Sequence, residues 1–299
     1  MSHKILVVGG VSYDSIVHVN RFPEPTTRTY QGDTLYETVG STGSGKALNL
    51  NRLGLDVSLH GAIGNDVYGN LIQKYFDDMD LKFYYDIIPE GTQRHINLMD
   101  ANGGRISYML NVTANPKVNV DRLQKRIEKC DHLVLNIINY CRDFITYAKE
   151  HNKPIWTDLH DYDGLNPYYQ DFVDAADYIT VSSDKLPDYR TTMQDIMARG
   201  KKLVVCTHGS AGSTALTPQG EWIDIPCMRD CPLVDTNGAG DSFFAGLMYG
   251  ILEGYDIKTS MKLGTLVAGL CVQSQELFDP RLNSRKLVKL YKSYYGESL

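Results

Sequence analysis

The chain has 299 residues and a formal net charge of −6, with acidic and basic side chains mixed along it. That balance excludes the basic footprint of a nucleic-acid binder and the polybasic stretch of a membrane-surface protein, and no apolar run approaches a bilayer span. The expectation is a small-molecule partner and a single α/β domain over residues 1–299 that carries a small inserted subdomain.

The first apolar run, Ile5 to Val8, breaks at Gly9 and Gly10, too short for a signal-peptide core and well suited to a buried strand. From Val11 to Thr38 the chain turns rich in Pro, Thr and Tyr and poor in helical pattern. Further on, DVSLHGAIG, HLVLNII, PIWTDL, DYITVSS and KLVVCTHG are short apolar runs bounded by turn residues, as in strands buried on both faces. Helical spacings lie between them, for example Val67, Leu71, Ile72, Tyr75 and Phe76. Such alternation predicts a doubly wound, mostly parallel sheet with helices on both faces.

RHINLMDANGGRISYML breaks the rhythm, with two alternating runs around Ala101 to Gly104 and Asn102 and Gly103 supplying the positive-φ chemistry of a hairpin turn. A small β subdomain is therefore expected from segments 11–38 and 92–113. A second hairpin is expected at STALTPQGEWIDI, turning at Pro218 to Gly220. The six cysteines are scattered without a CxxC pair, which points to reduced thiols in the cytoplasm rather than disulfides or zinc.

Residues 40–47, GSTGSGKA, fit the phosphate-loop pattern GxxxxGK[ST] except at Ala47, which cannot supply the hydroxyl that holds Mg²⁺. A phosphate loop also follows its strand directly, and Tyr36 to Val39 makes a poor buried strand. A stronger phosphate site lies in PLVDTNGAGDSFFAGLMYGILEG, residues 232–254. Its second half is a helix, with Phe244, Leu247, Met248, Ile251 and Leu252 on one stripe and Gly254 as the stop. DTNGAGD forms a tight turn that would aim the N–H groups of Gly238, Ala239 and Gly240 out of the helix start, an anion site. Asp241 falls in the first helical turn. A carboxylate there suits a group that takes a proton from a nucleophile attacking a phosphoryl centre, although the helix dipole alone also favours it.

DTNGAGDSFFAG resembles the C-terminal signature of the ribokinase-like, or PfkB, carbohydrate kinases, and GSTGSGKALNLNRLGLDVSLHGAIGNDVYG resembles their N-terminal one. GGVSYD near the start, the hairpin ending at Gly104 and Arg105, Asn115 after it and VVCTHGSAGS agree in order, so the resemblance covers nearly the whole chain. It implies a Rossmann-like α/β core with a β lid over a sugar, and transfer of the γ-phosphoryl group of ATP, with Mg²⁺, to a hydroxyl. By motif position it implies Asp241 as base and Gly238, Ala239 and Gly240 as the anion hole. Asp235 would lie near the phosphates and metal and, in members that need one, a monovalent cation such as K⁺. Asp14, Gly40, Ser41, Thr42, Gly45 and Asn115 fall on the sugar side, and Thr207, Gly209, Gly212 and Asn237 on the nucleotide side.

The chain also departs from the pattern. Gly45 stands where many members carry a sugar-binding asparagine, and Ser182 and Lys185 stand in place of NxxE near the metal-bound phosphates. Lys46 reads as a sugar contact or a solvated helix lysine. Asp158, His160, Asp161 and Asp163 read as solvated loop groups rather than a metal site, with Asp158 at a strand end able to face the nucleotide side. His18, His60, His95 and His208 show no pairing of the kind nucleophilic catalysis needs. The leading expectation is an ATP-dependent kinase of a sugar or sugar derivative. A nucleoside kinase of the same family and a non-catalytic sugar or nucleotide sensor are the alternatives, the intact DTNGAGD arguing against the sensor. Exposed lid strands point to a homodimer through the lid.

Overall fold

Short apolar runs become the strands of one large sheet, because each is covered by helices on both sides. The computed structural model describes residues 3–32, 34–101 and 104–299. In chain order the strands are β1 (Lys4–Val8), β2 (Ser12–Val19), β3 (Thr34–Gly40), β4 (Asp56–Gly64), β5 (Lys82–Ile88), β6 (Arg94–Asp100), β7 (Arg105–Leu110), β8 (His132–Leu135), β9 (Ile155–Asp158), β10 (Tyr178–Ser182), β11 (Leu203–Thr207), β12 (Ser213–Leu216) and β13 (Trp222–Ile225). The α-helices are α1 (Thr42–Arg52), α2 (Val67–Asp78), α3 (Val120–Lys129), α4 (Ile145–Glu150), α5 (Gln170–Ala175), α6 (Tyr189–Met197), α7 (Ala239–Leu252), α8 (Ile257–Cys271) and α9 (Ser284–Tyr295).

The main sheet runs β13-β12-β11-β10-β9-β8-β1-β4-β5 and is parallel from β11 to β5, with β12 and β13 added antiparallel. This is the doubly wound, mostly parallel architecture expected. One core, including Phe244, Met248, Leu263 and Leu266, packs α1, α7 and α8 on one face; the other, including Leu123, Phe144, Phe172 and Met193, packs α3 to α6 on the opposite face. The strand order reverses between β1 and β8, and the ends of β1, β8 and β9 open into the crevice where such sheets bind ligands.

The second sheet, β3-β2-β6-β7, takes β2, β6 and β7 from within segments 11–38 and 92–113, while β3 runs past the first of them to Gly40. β2 pairs antiparallel with β3 but parallel with β6, because the chain leaves this sheet after β3 and rejoins it only after α1, β4, α2 and β5. Asn102 and Gly103, assigned to the hairpin turn, lie outside the described residues. β5 carries the tyrosine-rich FYYD and is the edge strand beside β4. No helix among the described residues is long and apolar enough to cross a membrane.

Candidate active site

Gly238 caps the start of α7, and its φ of 80° turns the chain into the helix. A Cβ at Gly238 would also come within 3.0 Å of the Leu277 backbone, so glycine serves both the turn and the packing. The Ala239 N–H is not aimed outward as expected: it donates to the Thr236 carbonyl at 3.2 Å, closing the turn. Of the first-turn donors that have no intrahelical acceptor, this leaves those of Gly238, Gly240 and Asp241 to meet an anion. A Cβ at Gly240 would meet nothing within 4 Å, so that side of the helix start is open.

Asp241 is 7% exposed and forms an ion pair with Lys46 of α1. Lys46 is itself 1% exposed, and its Nζ also donates to Asp158 Oδ2, at the end of β9, at 3.0 Å. It is therefore not a solvated lysine, and its partners are two carboxylates of the protein itself. The approach that makes this possible depends on Gly45, where a Cβ would sit 2.6 Å from Asp241 Oδ2. Burial disfavours the Lys46 ammonium, but the two carboxylates outweigh it and hold it charged. Burial also opposes the charge on Asp158, yet His160 and Lys46 together hold its carboxyl well below the usual range. Asp241 differs: burial raises it above an ordinary aspartate, and Lys46 and His160 only partly counter this while Asp158 adds to it.

On the other side of α1, Asp14 of β2 is 2% exposed. It accepts the His95 backbone N–H at 3.2 Å and the Asn97 amide at 3.4 Å, and lies 3.2 Å from His95 Nδ1. Gln93 lies 2.7 Å from His95 Nε2, an arrangement that suits a neutral ring donating from Nδ1 to Asp14. Gly40 faces the Asp14 carboxylate so closely that a Cβ would meet Oδ2 at 2.0 Å. Ser41 has φ 73° and ψ 157°, a conformation open almost only to glycine, which marks strain at this corner. Thr42 Oγ1 accepts from the Asn136 amide at 2.5 Å, and the buried Asn136 Oδ1 has no partner among the described residues. Beside it, Gly9, Gly10, Gln93, Asn111, Ile138 and Tyr140 line a cavity of ≈ 30 Å³. Asn115 does not line this cavity, whereas Asn111, in a left-handed turn with φ 54°, does.

Two contacts tie the small sheet to the turn before α7. Tyr36 donates to Asp235 Oδ2 at 2.7 Å, and Arg105 donates to Asn237 Oδ1 at 3.0 Å. Asn237 N–H donates to the other Asp235 oxygen at 2.7 Å, so both oxygens of the expected metal ligand are engaged within the protein. The described residues contain no group of three or more His, Cys, Asp or Glu placed to hold a metal. Ser182 caps its own turn by accepting from Asp184 N–H, and Lys185 pairs with Asp161. Thr207 ends β11, and Gly209 and Gly212 take φ of 54° and 105° in the turn that follows.

A family model described as "pfkB family carbohydrate kinase" matches residues 2–282. The chain belongs to this family. It is 29% identical to the acarbose 7(IV)-phosphotransferase of Actinoplanes sp. over 88% of this chain and 89% of that protein. It is 23% identical to a nucleoside kinase of Methanocaldococcus jannaschii over 91% of each. Among solved structures, a microbiome-derived acarbose kinase, Mak1, superposes with a TM-score of 0.87 at 29% identity, covering 97% of this chain and 99% of that one.

For a pfkB carbohydrate kinase, several side chains gathered around the crevice carry no local signal in the sequence. Lys46 meets Asp241 across 195 positions and Asp158 across 112, and His95 meets Asp14 across 81. The quoted motifs single out Asp241 and Asp14, but not the groups that brace them.

Proposed function

We propose that this pfkB kinase transfers the γ-phosphoryl group of ATP to a hydroxyl of a carbohydrate, with Asp241 as the base that receives the hydroxyl proton. The observation that carries the reading is a buried carboxylate in the first turn of α7, beside an open helix start at Gly240. Phosphoryl transfer through a loose transition state needs positioning and charge stabilisation more than covalent help. The N–H groups at the start of α7 would stabilise the moving phosphoryl group. Asp14, held by His95 and Asn97, would grip sugar hydroxyls, with Gly40, Ser41 and Thr42 forming the adjoining wall. Thr207, Gly209, Gly212 and Asn237 lie on the proposed nucleotide side.

Mg²⁺ keeps most of its waters and binds chiefly to nucleotide phosphates, in keeping with the lack of a protein metal cluster among the described residues. The engaged oxygens of Asp235 give no support to a monovalent cation there. A cavity of ≈ 30 Å³ holds water rather than a sugar, so the small sheet is proposed to act as a lid that lifts for the substrate. Tyr108, Met109 and Leu110 on edge strand β7 are exposed and support pairing of two lids in a homodimer. Six unpaired cysteines accord with the proposed cytoplasmic location.

Acarbose-type oligosaccharides lead the substrate list because two relatives at 29% identity carry that activity in their names, and nucleosides follow from the Methanocaldococcus relative. The protein is incubated with ATP, Mg²⁺ and acarbose, maltooligosaccharides, hexoses, ribose and nucleosides in turn, and ADP is measured. ADP release with a carbohydrate is expected. Release only with nucleosides selects the second reading, and tight ligand binding without ADP from any acceptor makes the protein a sensor.

A further inference from the structure

Lys46 Nζ lies between two carboxylates from different parts of the chain, Asp241 of α7 and Asp158 at the end of β9, and the Phe244 ring covers it at 5.2 Å. Asp158 is held in turn by the His160 N–H at 3.0 Å and lies 3.3 Å from His160 Nδ1. One ammonium thus serves two buried carboxylates, which leaves the three groups with one negative charge in excess. In a simple buried ion pair, protonating the carboxylate would strand the lysine without a partner. Here a proton arriving on Asp241 leaves Lys46 and Asp158 as a matched pair, so proton uptake removes an unbalanced charge instead of creating one.

We propose that Lys46 is a positioning residue for phosphoryl transfer: it fixes the Asp241 carboxylate through Oδ1, while Asp158 draws off enough of its charge to keep Asp241 basic. This rests on the reading of Asp241 as the base. Gly45 serves the same end, since the missing Cβ leaves Oδ2 uncovered. In the step, the acceptor O–H bond breaks and its proton passes to Asp241 Oδ2. The oxygen's electron pair forms the new bond to the γ-phosphorus, and the bond to the β,γ-bridging oxygen breaks with its pair remaining on ADP. Lys46 stays protonated and Asp158 ionised throughout. The titratable groups facing Asp241 are Lys46 from α1, Asp158 and His160 after β9, and the Cys271 thiol of α8.

The test is a ¹³C NMR titration of the free, full-length enzyme carrying carboxyl-labelled aspartate, with the Asp241 resonance assigned by its loss in Asp241→Asn. In wild type Asp241 titrates above an ordinary aspartate. Asp158→Asn gives the whole ammonium to Asp241 and lowers its midpoint by about one pH unit or more; Lys46→Met raises it by a similar amount, and Lys46→Arg returns it towards wild type. In Asp158→Asn, kcat with the acceptor that releases ADP falls about tenfold while KM for ATP stays within about threefold. Asp158→Asn is nearly isosteric and carries the test if Lys46→Met does not fold. An Asp241 midpoint that stays put in Asp158→Asn overturns the proposal. If Asp241→Asn keeps its turnover, the base reading fails instead, whatever the titrations show.

Discussion

Replacing Gly45 with alanine probes the close approach of α1 to Asp241. The added Cβ would lie 2.6 Å from Asp241 Oδ2 and 3.0 Å from its Cβ and Cγ, where ordinary contact begins at 3.4 Å. The carboxylate oxygen must therefore retreat by about 0.8 Å while Lys46 holds its other oxygen. A displacement of roughly 1 Å at a catalytic group costs about 10²-fold in rate. Stability should respond far less. Overpacking a buried site costs about 1–3 kcal/mol, and alanine at this interior position of α1 returns about 1 kcal/mol of helix propensity. The net loss of about 0–2 kcal/mol corresponds to a fall in Tm of a few degrees. Steady-state ADP release and thermal melting, run side by side, separate the two effects. A folded Gly45→Ala enzyme with turnover within about twofold of wild type would refute the placement of Asp241 against residue 45. By the same reasoning Gly45→Asn, which introduces the residue common in the family, should lose turnover too rather than improve sugar binding.

Asp14→Asn weakens charge-assisted hydrogen bonds worth about 1.5–3 kcal/mol, so KM for the carbohydrate should rise about 10- to 100-fold with KM for ATP unchanged. A rise confined to ATP would contradict the assignment of Asp14 to the sugar side. Tyr36→Phe removes the link from β3 to Asp235, and carbohydrate KM should rise roughly tenfold with little change in Tm; an unchanged KM means the link does not hold the lid. Asp279 is buried, and although burial opposes its charge, Arg281 and Lys286 outweigh it and lower its carboxyl below the ordinary value. The stability it adds is complete above the unfolded value near pH ~3.9 and disappears as pH falls through the folded one. Wild type should therefore exceed Asp279→Asn by about 1–2 kcal/mol at pH 7, a gap that closes in acid; a pH-independent gap contradicts the ion-pair account.

The strand pattern is legible because burial on both faces of a parallel sheet forces continuous apolar runs: DVSLHGAIG becomes β4 from its first residue to its last. β5 is not legible, since an edge strand with half-buried tyrosines carries neither an apolar run nor strict alternation. At the site, Asp241 stands out because the glycine turn and helix start that place it are adjacent in sequence. Lys46 does not: its burial is decided by α1, β9 and α7 meeting in space, and nothing near residue 46 reports that contact. The choice of Asn111 over Asn115 at the cavity follows from a left-handed turn at Asn111, a backbone detail that residue types around it do not dictate. Ser41 shows the reverse case, a non-glycine residue held where sequence preference would place glycine.

The central claim, that Asp241 takes the proton of the acceptor hydroxyl, is tested most directly by measuring turnover and ATP affinity in Asp241→Asn. The amide keeps the shape of the side chain but cannot accept that proton. A fall in kcat of about 10³-fold or more with ATP Kd within about threefold of wild type is the predicted result. Turnover within about tenfold of wild type in the folded variant would contradict it.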